Sequence, residues 1–403
     1  MALFPGVFQL KGVVQHYAWG GYKFIPDLIG QDNDDEKPFA EYWLGAHPNH
    51  PSTLLPGDTP LPRFIAESPV EILGKEVQRS FGTLPYLLKV LDVRQMLSIQ
   101  VHPSKASAEK GYDDEDARGI DLKRPDRNYK DRNHKPELMV ALSDFWLLHG
   151  FKSEKDLTAI LHKVPELSVL LPVWESGGYR GLYEYVMDLP QAQVNALLDG
   201  LVQRIMPQYE GGTIDRNCED FWAARAVTSF CANGEYDRGI FSIYFFNLLH
   251  LKKGEGIYQA AGLPHAYLEG QNVEIMANSD NVLRAGLTDK HVDVPELMKH
   301  VNFTATVPNI IRPQTRAHQV FESPAREFEL HRYALAAGET TTIHTVTAEI
   351  LVVLDGRAEL WLGNERLALR KGEAALALAG HEVQLVAQAT SDVFRVSVKK
   401  ESE

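Results

Sequence analysis

The sequence predicts a mainly β protein with an α-helical insertion. Around Gln100, apolar residues at Leu97, Ile99 and Val101 alternate with polar ones, which is the period of a strand with one apolar and one polar face. Residues 151–237 instead carry apolar side chains at the spacing of a helix face. Because the rest of the chain returns to strand-like patterns, we expect helices between two sets of strands.

The segment before residue 100 is predicted to contain strands and turns. Gly20, Gly21 and a series of prolines interrupt its apolar stretches. The mixed-charge segment 104–133 is predicted to form a helix and a loop, either as a solvated face or as a cover over a pocket. Its charges alone say nothing about chemistry.

A candidate metal-binding pair lies on the polar face of the strand around residue 100. Gln100 and His102 are two residues apart and therefore project from the same face. An amide oxygen and an imidazole at this spacing suit a metal ion, although the same spacing also arises by chance. Farther along, Glu137 enters the apolar stretch 138–142. A buried carboxylate needs a partner because its desolvation is costly, and a divalent cation would serve.

The segment 261–290 holds the densest series of chemically reactive side chains. It follows an apolar, aromatic stretch, 241–251, which is predicted to be a strand, and a turn at Gly254 and Gly256. His265 is therefore expected where the next strand begins. A single histidine beside a proline is more commonly a surface or core residue than a ligand, so its assignment depends on the two motifs above.

Residues 151–237 are predicted to form a helical insertion domain. Ser153 and Asp156 have the spacing of a capping box, and apolar residues follow at helical intervals. Because Glu137 and His265 lie on either side of the insertion, a barrel that carries both must be discontinuous in sequence. Turns are expected at glycine positions inside the insertion and at its end: Gly177-Gly178, Gly211-Gly212 and Gly234.

The composition argues against several classes of protein. The 403 residues carry a formal net charge of −13, whereas nucleic acids and anionic membranes select basic surfaces. The two cysteines, Cys218 and Cys231, offer neither a disulfide framework nor a cysteine metal site. No signal peptide or membrane span is apparent. We therefore expect a cytoplasmic protein with no nucleic-acid or membrane partner.

Six short motifs, spread from about residue 15 to about residue 300, carry a family resemblance. In chain order they are YAWG at 17–20, AExWxGAHP at 40–48, QxHPxK at 100–105, HKPE at 134–137, PHAY at 264–267 and SDNxxRAGxTxK at 279–290. Together they resemble the type I mannose-6-phosphate isomerases, zinc-dependent cupin enzymes that are also called phosphomannose isomerases. The number and order of the motifs make this resemblance specific.

The resemblance implies a fold, a metal and a set of ligands. In this family the metal ligands are the glutamine and histidine of QxHPxK, the glutamate of HKPE and the histidine of PHAY. Carried over to this sequence, they are Gln100, His102, Glu137 and His265, which would hold one Zn²⁺ per chain. The fold it implies is two cupin (jelly-roll) β-barrels.

The resemblance also implies a reaction, the interconversion of mannose 6-phosphate and fructose 6-phosphate by proton transfer through an enediol. Glu274 and Asp280 are the candidate catalytic carboxylates, and which of them is the base stays open. Arg284 is a candidate for neutralising the enediolate or holding phosphate. Trp43 is expected in the core. The candidate substrate-binding residues, each also compatible with a structural role, are Trp19, Lys89, Ser98, Lys135, Tyr267 and Lys290.

The C-terminal strands are predicted to form a second, metal-free cupin-like barrel. His344 and Glu349 keep ligand positions of the first cupin signature, but Val346 replaces its second histidine. An unrelated small sandwich is the alternative. The predicted domains are a first part of the catalytic barrel, the helical insertion, a second part of the catalytic barrel and the C-terminal barrel: residues 1–150, 151–237, 238–312 and 313–403.

Two functions of other classes fit parts of the pattern. A cupin dioxygenase would use iron or another redox metal and normally has a histidine where this chain has Gln100. A non-catalytic cupin that binds a sugar would need no acid–base group. The favoured interpretation is an isomerase that acts on a small phosphorylated hexose, and we expect a monomer.

Overall fold

The computed structural model describes residues 6–399 as three antiparallel β-sheets and a group of helices. The sheets contain ten, eight and four strands. The predicted mainly β chain with helices in its middle is therefore confirmed. Within the described residues, no helix is both long and apolar enough to cross a membrane.

The chain up to Phe151 alternates strands with short helices. The strands are β1 Val7–Lys11, β2 Val13–Gln15, β3 Glu41–Gly45, β4 Thr53–Leu55, β5 Thr59–Pro60, β6 Tyr86–Val93, β7 Gln100–Val101, β8 Glu137–Ala141 and β9 Phe145–Phe151. The helices are α1 Phe24–Ile29, α2 Leu61–Glu67, α3 Pro69–Leu73, α4 Lys75–Phe81 and α5 Lys105–Ala117.

The prediction that only strands and turns precede residue 100 is wrong, because α1 to α4 lie there. None of these four helices has a side-chain N-cap, so the sequence lacks the usual start signal. The strand predicted around Gln100 is also shorter than its pattern. The amides of Leu97 and Ile99 bond to the carbonyls of Tyr267 and Gly286, and regular pairing begins only at Gln100.

The helical insertion is present and carries the predicted cap. Its helices are α6 Glu154–Lys163, a 3-10 turn Pro165–Leu170, α7 Leu171–Asp188, α8 Gln191–Glu210, α9 Glu219–Phe230 and α10 Gly239–Phe245. The Ser153 hydroxyl accepts a hydrogen bond from the amide of Asp156. Gly178, with φ 56° and ψ −155°, kinks α7 at the glycine pair where a turn is expected.

The sequence predicts one strand over the aromatic stretch 241–251, and this prediction is wrong for its first half. Residues up to Phe245 belong to α10, and only the remainder forms a strand. Every residue of α10 is buried, so no polar face reveals the helical period. A short run that is apolar on all sides is compatible with either a helix or a strand.

The remainder of the chain is almost entirely strand. The elements are β10 Phe246–Leu251, β11 Gly256–Gln259, β12 His265–Ala277, β13 Leu283–Arg284, α11 Val294–His300, β14 His318–Phe321, β15 Glu329–Leu335, β16 Thr340–His344, β17 Glu349–Asp355, β18 Arg357–Leu362, β19 Glu365–Arg370, β20 Ala374–Ala377, β21 Glu382–Ala387 and β22 Ser391–Ser397. His265 begins β12 and Glu137 begins β8, as the sequence predicts.

The ten-stranded sheet brings the distant motifs together. Its main path runs β10-β9-β12-β6-β3-β2, and β7, β8, β11 and β13 pair at its side. The long strand β12 pairs with β6, β7, β8 and β9 along its length. A strand that follows the helical insertion therefore pairs with four strands that precede it.

The eight-stranded sheet combines the two ends of the described chain. Its order is β14-β15-β22-β17-β20-β1-β4-β5, so β1 lies between β20 and β4. One hydrophobic cluster contains residues from this sheet and from the ten-stranded sheet. Within that cluster the Tyr86 hydroxyl donates to the carbonyls of Ala348 or Val396 and accepts from the amide of Ile350.

Candidate metal centre and active site

The candidate ligands lie where three strands meet. Glu137 and His265 are the first residues of β8 and β12, and Gln100 begins β7. His265 pairs directly with Gln100 across the β12–β7 ladder, while Glu137 pairs with Gln259 and Met276. Antiparallel partners project their side chains from the same face, so this pairing sets Gln100 beside His265.

Both imidazoles are oriented by backbone carbonyls. Nδ1 of His102 donates to the carbonyl of Asn281 at 2.8 Å, and Nδ1 of His265 donates to the carbonyl of Leu263 at 2.8 Å. The two Nε2 atoms therefore face the Glu137 carboxylate, at 3.5 Å for His102 and 3.2 Å for His265. A second hydrogen bond that fixes the ring is typical of metal-binding histidines.

The residues present fit a zinc ion. Nε2 of His102 is buried and has no hydrogen-bond partner among the described residues, and burial lowers the pKa of His102 to about 4. Although burial opposes its charge, the Lys135 ammonium and His102 hold the pKa of Glu137 well below its usual range. The ligand atoms of His102, Glu137 and His265 all lie within 4.8 Å of one another. Neutral imidazoles and a carboxylate are ligands that zinc prefers.

A small cavity of about 50 Å³ opens beside these ligands. It brings together most of the residues that the sequence singled out. Its lining comprises Glu41, Lys89, Leu91, Leu97, Gln100, Lys135, Glu137, His265, Ala266, Tyr267 and Glu274. Lys135 extends its ammonium to within 3.0 Å of Oε1 of Glu137.

Lys89 lies at the centre of a buried ion-pair network. Its ammonium is 3.3 Å from Oε2 of Glu41 and 3.3 Å from Oε1 of Glu274, and it faces the Trp43 ring at 5.1 Å. Burial opposes the charge, but Glu41, Glu274 and Glu137 together raise the pKa of Lys89. The ammonium therefore stays charged although only 6% of the residue is exposed.

Glu274 lines the same cavity as Glu137 and Glu41. The Tyr267 hydroxyl donates to its Oε2 at 2.7 Å and accepts from the Gln259 amide at 3.1 Å. Burial and the neighbouring Glu137 raise the pKa of Glu274, against the opposing effect of Lys89. Its environment thus differs from that of Glu137, whose pKa is lowered.

Comparison with known proteins decides the family. Residues 7–154 match the family model described as phosphomannose isomerase type I, catalytic domain. The mannose-6-phosphate isomerase of Escherichia coli (strain K12) is 35% identical over 398 residues, which cover 96% of this chain and 98% of that protein. The chain belongs to the type I phosphomannose isomerase family. The resemblance inferred from the motifs is therefore confirmed.

Other members of the family agree with this assignment. The mannose-6-phosphate isomerase of Mus musculus is 35% identical over 388 residues, covering 87% of this chain and 88% of that protein. The crystal structure of the Salmonella typhimurium enzyme bound to its substrate, fructose 6-phosphate, and to zinc matches 98% of this chain and 100% of that one, with a TM-score of 0.87 and 32% identity. The isomerase-family fold thus extends over the whole described chain.

Two further residues of the site were missed as candidates. Glu41 lies in β3, where all five residues are buried, and it accepts a hydrogen bond from the indole of Trp43. His47 is buried, and its Nε2 is 3.3 Å from Oδ1 of Asp280. A charged residue inside an apolar strand is the signal that identified Glu137, and the same signal applies to Glu41.

Asp280 lies outside the cavity that contains the ligands. It lines a neighbouring, larger cavity with His47 and Lys130, and 42% of its side chain is exposed. The hydrogen bond from His47 lowers the pKa of Asp280. Arg284 pairs with Gln100 across β7 and β13, and within residues 6–399 its guanidinium makes no hydrogen bond or ion pair.

The remaining candidates are not among the described residues that line this cavity. Trp19 is half-buried, stacks on Tyr17 and packs against the hydrophobic cluster that includes Tyr267. Ser98 is half-buried, and its hydroxyl has no hydrogen-bond partner among the described residues. Lys290 is exposed and lines a separate cavity together with Arg238 and other residues near the end of the insertion. The structure therefore does not bring Lys290 to the ligands.

The C-terminal strands contain no comparable cluster within the described residues, where His102, Glu137 and His265 form the one set of three such ligands. His344 is exposed and lies 3.6 Å from Glu382. Glu349 is fully buried and pairs with Arg395 at 3.0 Å. The two residues that resemble cupin ligands therefore have opposite environments.

Proposed function

We propose that this chain interconverts mannose 6-phosphate and fructose 6-phosphate and binds one Zn²⁺. The observation that carries the proposal is the Glu137 carboxylate facing Nε2 of the His102 and His265 imidazoles, beside a cavity that also holds Lys89, Lys135 and Glu274. The 35% identity over almost the full chain to the Escherichia coli isomerase supports the same reaction.

The ion would be held by Gln100, His102, Glu137 and His265. Zinc at this position supplies a positive charge close to the sugar oxygens, where it stabilises negative charge that develops during proton transfer. Asn281 and Leu263 keep the rings of the two histidines oriented. Lys135 offsets the charge of Glu137 before and after the ion binds.

Proton transfer requires a group that takes a proton from C2 of the aldose and returns it to C1, through an enediol. Glu274 is the first candidate, because it lies in the cavity and its raised pKa keeps it a stronger base than an exposed carboxylate. Tyr267 and Lys89 hold its two oxygens. Asp280 is the second candidate, positioned by His47 at the adjacent cavity.

Recognition of the phosphate needs cations that lack a protein counterion. Arg284 makes no hydrogen bond or ion pair within residues 6–399, whereas Lys135, which lines the cavity, already pairs with Glu137. Charge-assisted bonds to a phosphate dianion are stronger than bonds to neutral hydroxyls. Arg284 is therefore assigned to the phosphate, while Trp19 and Ser98 remain candidates for contacts with the sugar.

At the level of the fold, we propose two cupin jelly-roll barrels with the domain limits given above. The antiparallel sheets and the hydrophobic cluster enclosed by the C-terminal strands support this arrangement. The proposal includes a monomer in the cytoplasm. The acidic net charge of −13 supports the absence of a nucleic-acid partner.

One assay tests the reaction against its rivals. The zinc-loaded protein is incubated with mannose 6-phosphate in deuterated water, and formation of fructose 6-phosphate and deuterium at the exchanging carbon are followed by NMR. We expect both the formation of fructose 6-phosphate and the incorporation of deuterium. Oxygen consumption with an iron-loaded protein would indicate a dioxygenase, and binding of the sugar without exchange would indicate a non-catalytic cupin.

A further inference from the structure

The side chain of His134, next to Lys135, contacts the C-terminal part of the chain. Its Nε2 lies 2.6 Å from Oε1 of Glu327, a residue between β14 and β15. Only 10% of the Glu327 side chain is exposed. The other carboxylate oxygen accepts a hydrogen bond from the amide of Arg326, so both oxygens of Glu327 are held.

The segment that carries Glu327 is anchored on the strand of the metal ligand. Phe321, Ala325 and Phe328 are buried in the same hydrophobic cluster as Leu138 and Val140 of β8. These two residues follow Glu137 and occupy the face of β8 opposite to the cavity, given the alternation along a strand. Glu327 therefore contacts His134 from a segment that packs in the hydrophobic cluster on the face of β8 opposite the cavity.

The short segment before β8 has anchors at its ends. Asn133 donates to the carbonyl of Asn278, and its own carbonyl accepts from the side chains of Ser279 and Asn281. At the other end, Glu137 is held in the sheet. Between them, the contact with Glu327 is the side-chain hydrogen bond that fixes His134.

We infer that Glu327 is a positioning residue of the isomerase site: through His134 it holds the segment from which Lys135 enters the cavity. The inference rests on the proposed function, and it gives the C-terminal strands a part in that function. Glu327 moves no proton and touches no substrate. Its carboxylate accepts the hydrogen bond that fixes the His134 ring, next to Lys135 in the chain.

The test is a double-mutant cycle measured as kcat/KM for mannose 6-phosphate. Glu327→Ala should lower kcat/KM about tenfold, the typical effect of one charge-assisted hydrogen bond. Glu327→Gln keeps an acceptor oxygen and should recover most of the activity. In the His134→Ala background, Glu327→Ala should cause no further loss, because the contact is already absent. The exposed Glu322, in the same segment, provides the matched control Glu322→Ala, which should match the parent.

Zinc content and the melting temperature are measured for each variant in parallel. The inference is overturned if Glu327→Ala lowers activity equally with and without His134, or if the loss of activity only follows a loss of zinc or of folded protein. It is also overturned if Glu327→Gln and Glu327→Ala behave alike. A parent protein that leaves mannose 6-phosphate unchanged contradicts the proposed function instead, so the two failures are distinguishable.

Discussion

Nε2 of His265 lies 3.2 Å from Oε2 of Glu137, although five helices separate these residues along the chain. The strands β8 and β12 pair directly, so the contact forms only when the chain on both sides of the helices has joined one sheet. A metal ion that binds both residues therefore also ties these two parts of the chain together.

The first prediction concerns the ligands. His265→Ala should abolish zinc binding and turnover, because the site loses one of its two imidazole ligands. The measurement is zinc per chain after dialysis, by atomic emission. His344→Ala in the C-terminal strands and His162→Gln on the exposed side of α6 should both keep their zinc. Loss of zinc in either control would show that the assignment of the metal site to β8 and β12 is wrong.

The second prediction concerns phosphate recognition. Arg284→Ala should lower kcat/KM for mannose 6-phosphate by roughly one to two orders of magnitude, because a charge-assisted bond contributes about 1.5–3 kcal/mol. Lys290→Ala should have a smaller effect, since Lys290 lines a different cavity. Steady-state kinetics on mannose 6-phosphate and on mannose separate the roles: a higher KM indicates phosphate binding, and a lower kcat indicates action on the enediolate. A larger effect at Lys290 would reverse the assignment.

The third prediction concerns the buried network around Lys89. Lys89→Met should reduce the free energy of unfolding by about 3–5 kcal/mol, because it leaves the buried carboxylates of Glu41 and Glu274 without their shared cation. Urea unfolding of the metal-free protein measures this difference. Lys253→Met, at an exposed position, is the matched control and should differ little from the parent. Equal stability of the two variants would show that Lys89 does not stabilise the fold.

The fourth prediction concerns pH and the C-terminal strands. Burial raises the pKa of Glu349 to about 7, above the value near 4.3 expected in the unfolded chain. Protonated Glu349 therefore contributes to the free energy of unfolding. This contribution is complete below the pKa of the unfolded chain and is lost as the pH rises through about 7. The glutamine of Glu349→Gln cannot titrate. The free energy of unfolding of this variant, relative to the parent, should therefore increase by roughly 2–3 kcal/mol between pH 5 and pH 8.

Urea unfolding of Glu349→Gln and its parent at both pH values checks the fourth prediction. Glu365→Gln, at an exposed position of β19, is the control and should show no such change. A difference between Glu349→Gln and the parent that is the same at pH 5 and pH 8 would mean that Glu349 is ionised throughout.

Local signals in the sequence predicted the strand starts at Glu137 and His265 and the start of the insertion. The polar residues Glu137 and His265 each follow a proline and open an apolar stretch, and both begin strands in the structure. Ser153 caps the first helix of the insertion as its spacing predicts. Such features depend on a few neighbouring residues, so the sequence is sufficient to predict them.

Local sequence patterns could not predict contacts between residues that are distant in the chain. Nothing near His47 indicates that its partner is Asp280, because the pairing depends on how two loops meet. The insertion of β1 between β20 and β4 likewise depends on a register between the two ends of the described chain. Lys290, which the sequence places in the same motif as Arg284, lines a different cavity.

The position of β1 also affects how the protein is made. Residues 7–11 leave the ribosome long before residues 374–377, with which they pair. During most of synthesis β1 therefore has only β4 beside it, and its other edge presents unpaired amides and carbonyls. Such an edge is a site for pairing with other nascent chains. This edge closes only when residues 374–377 have emerged and pair with β1.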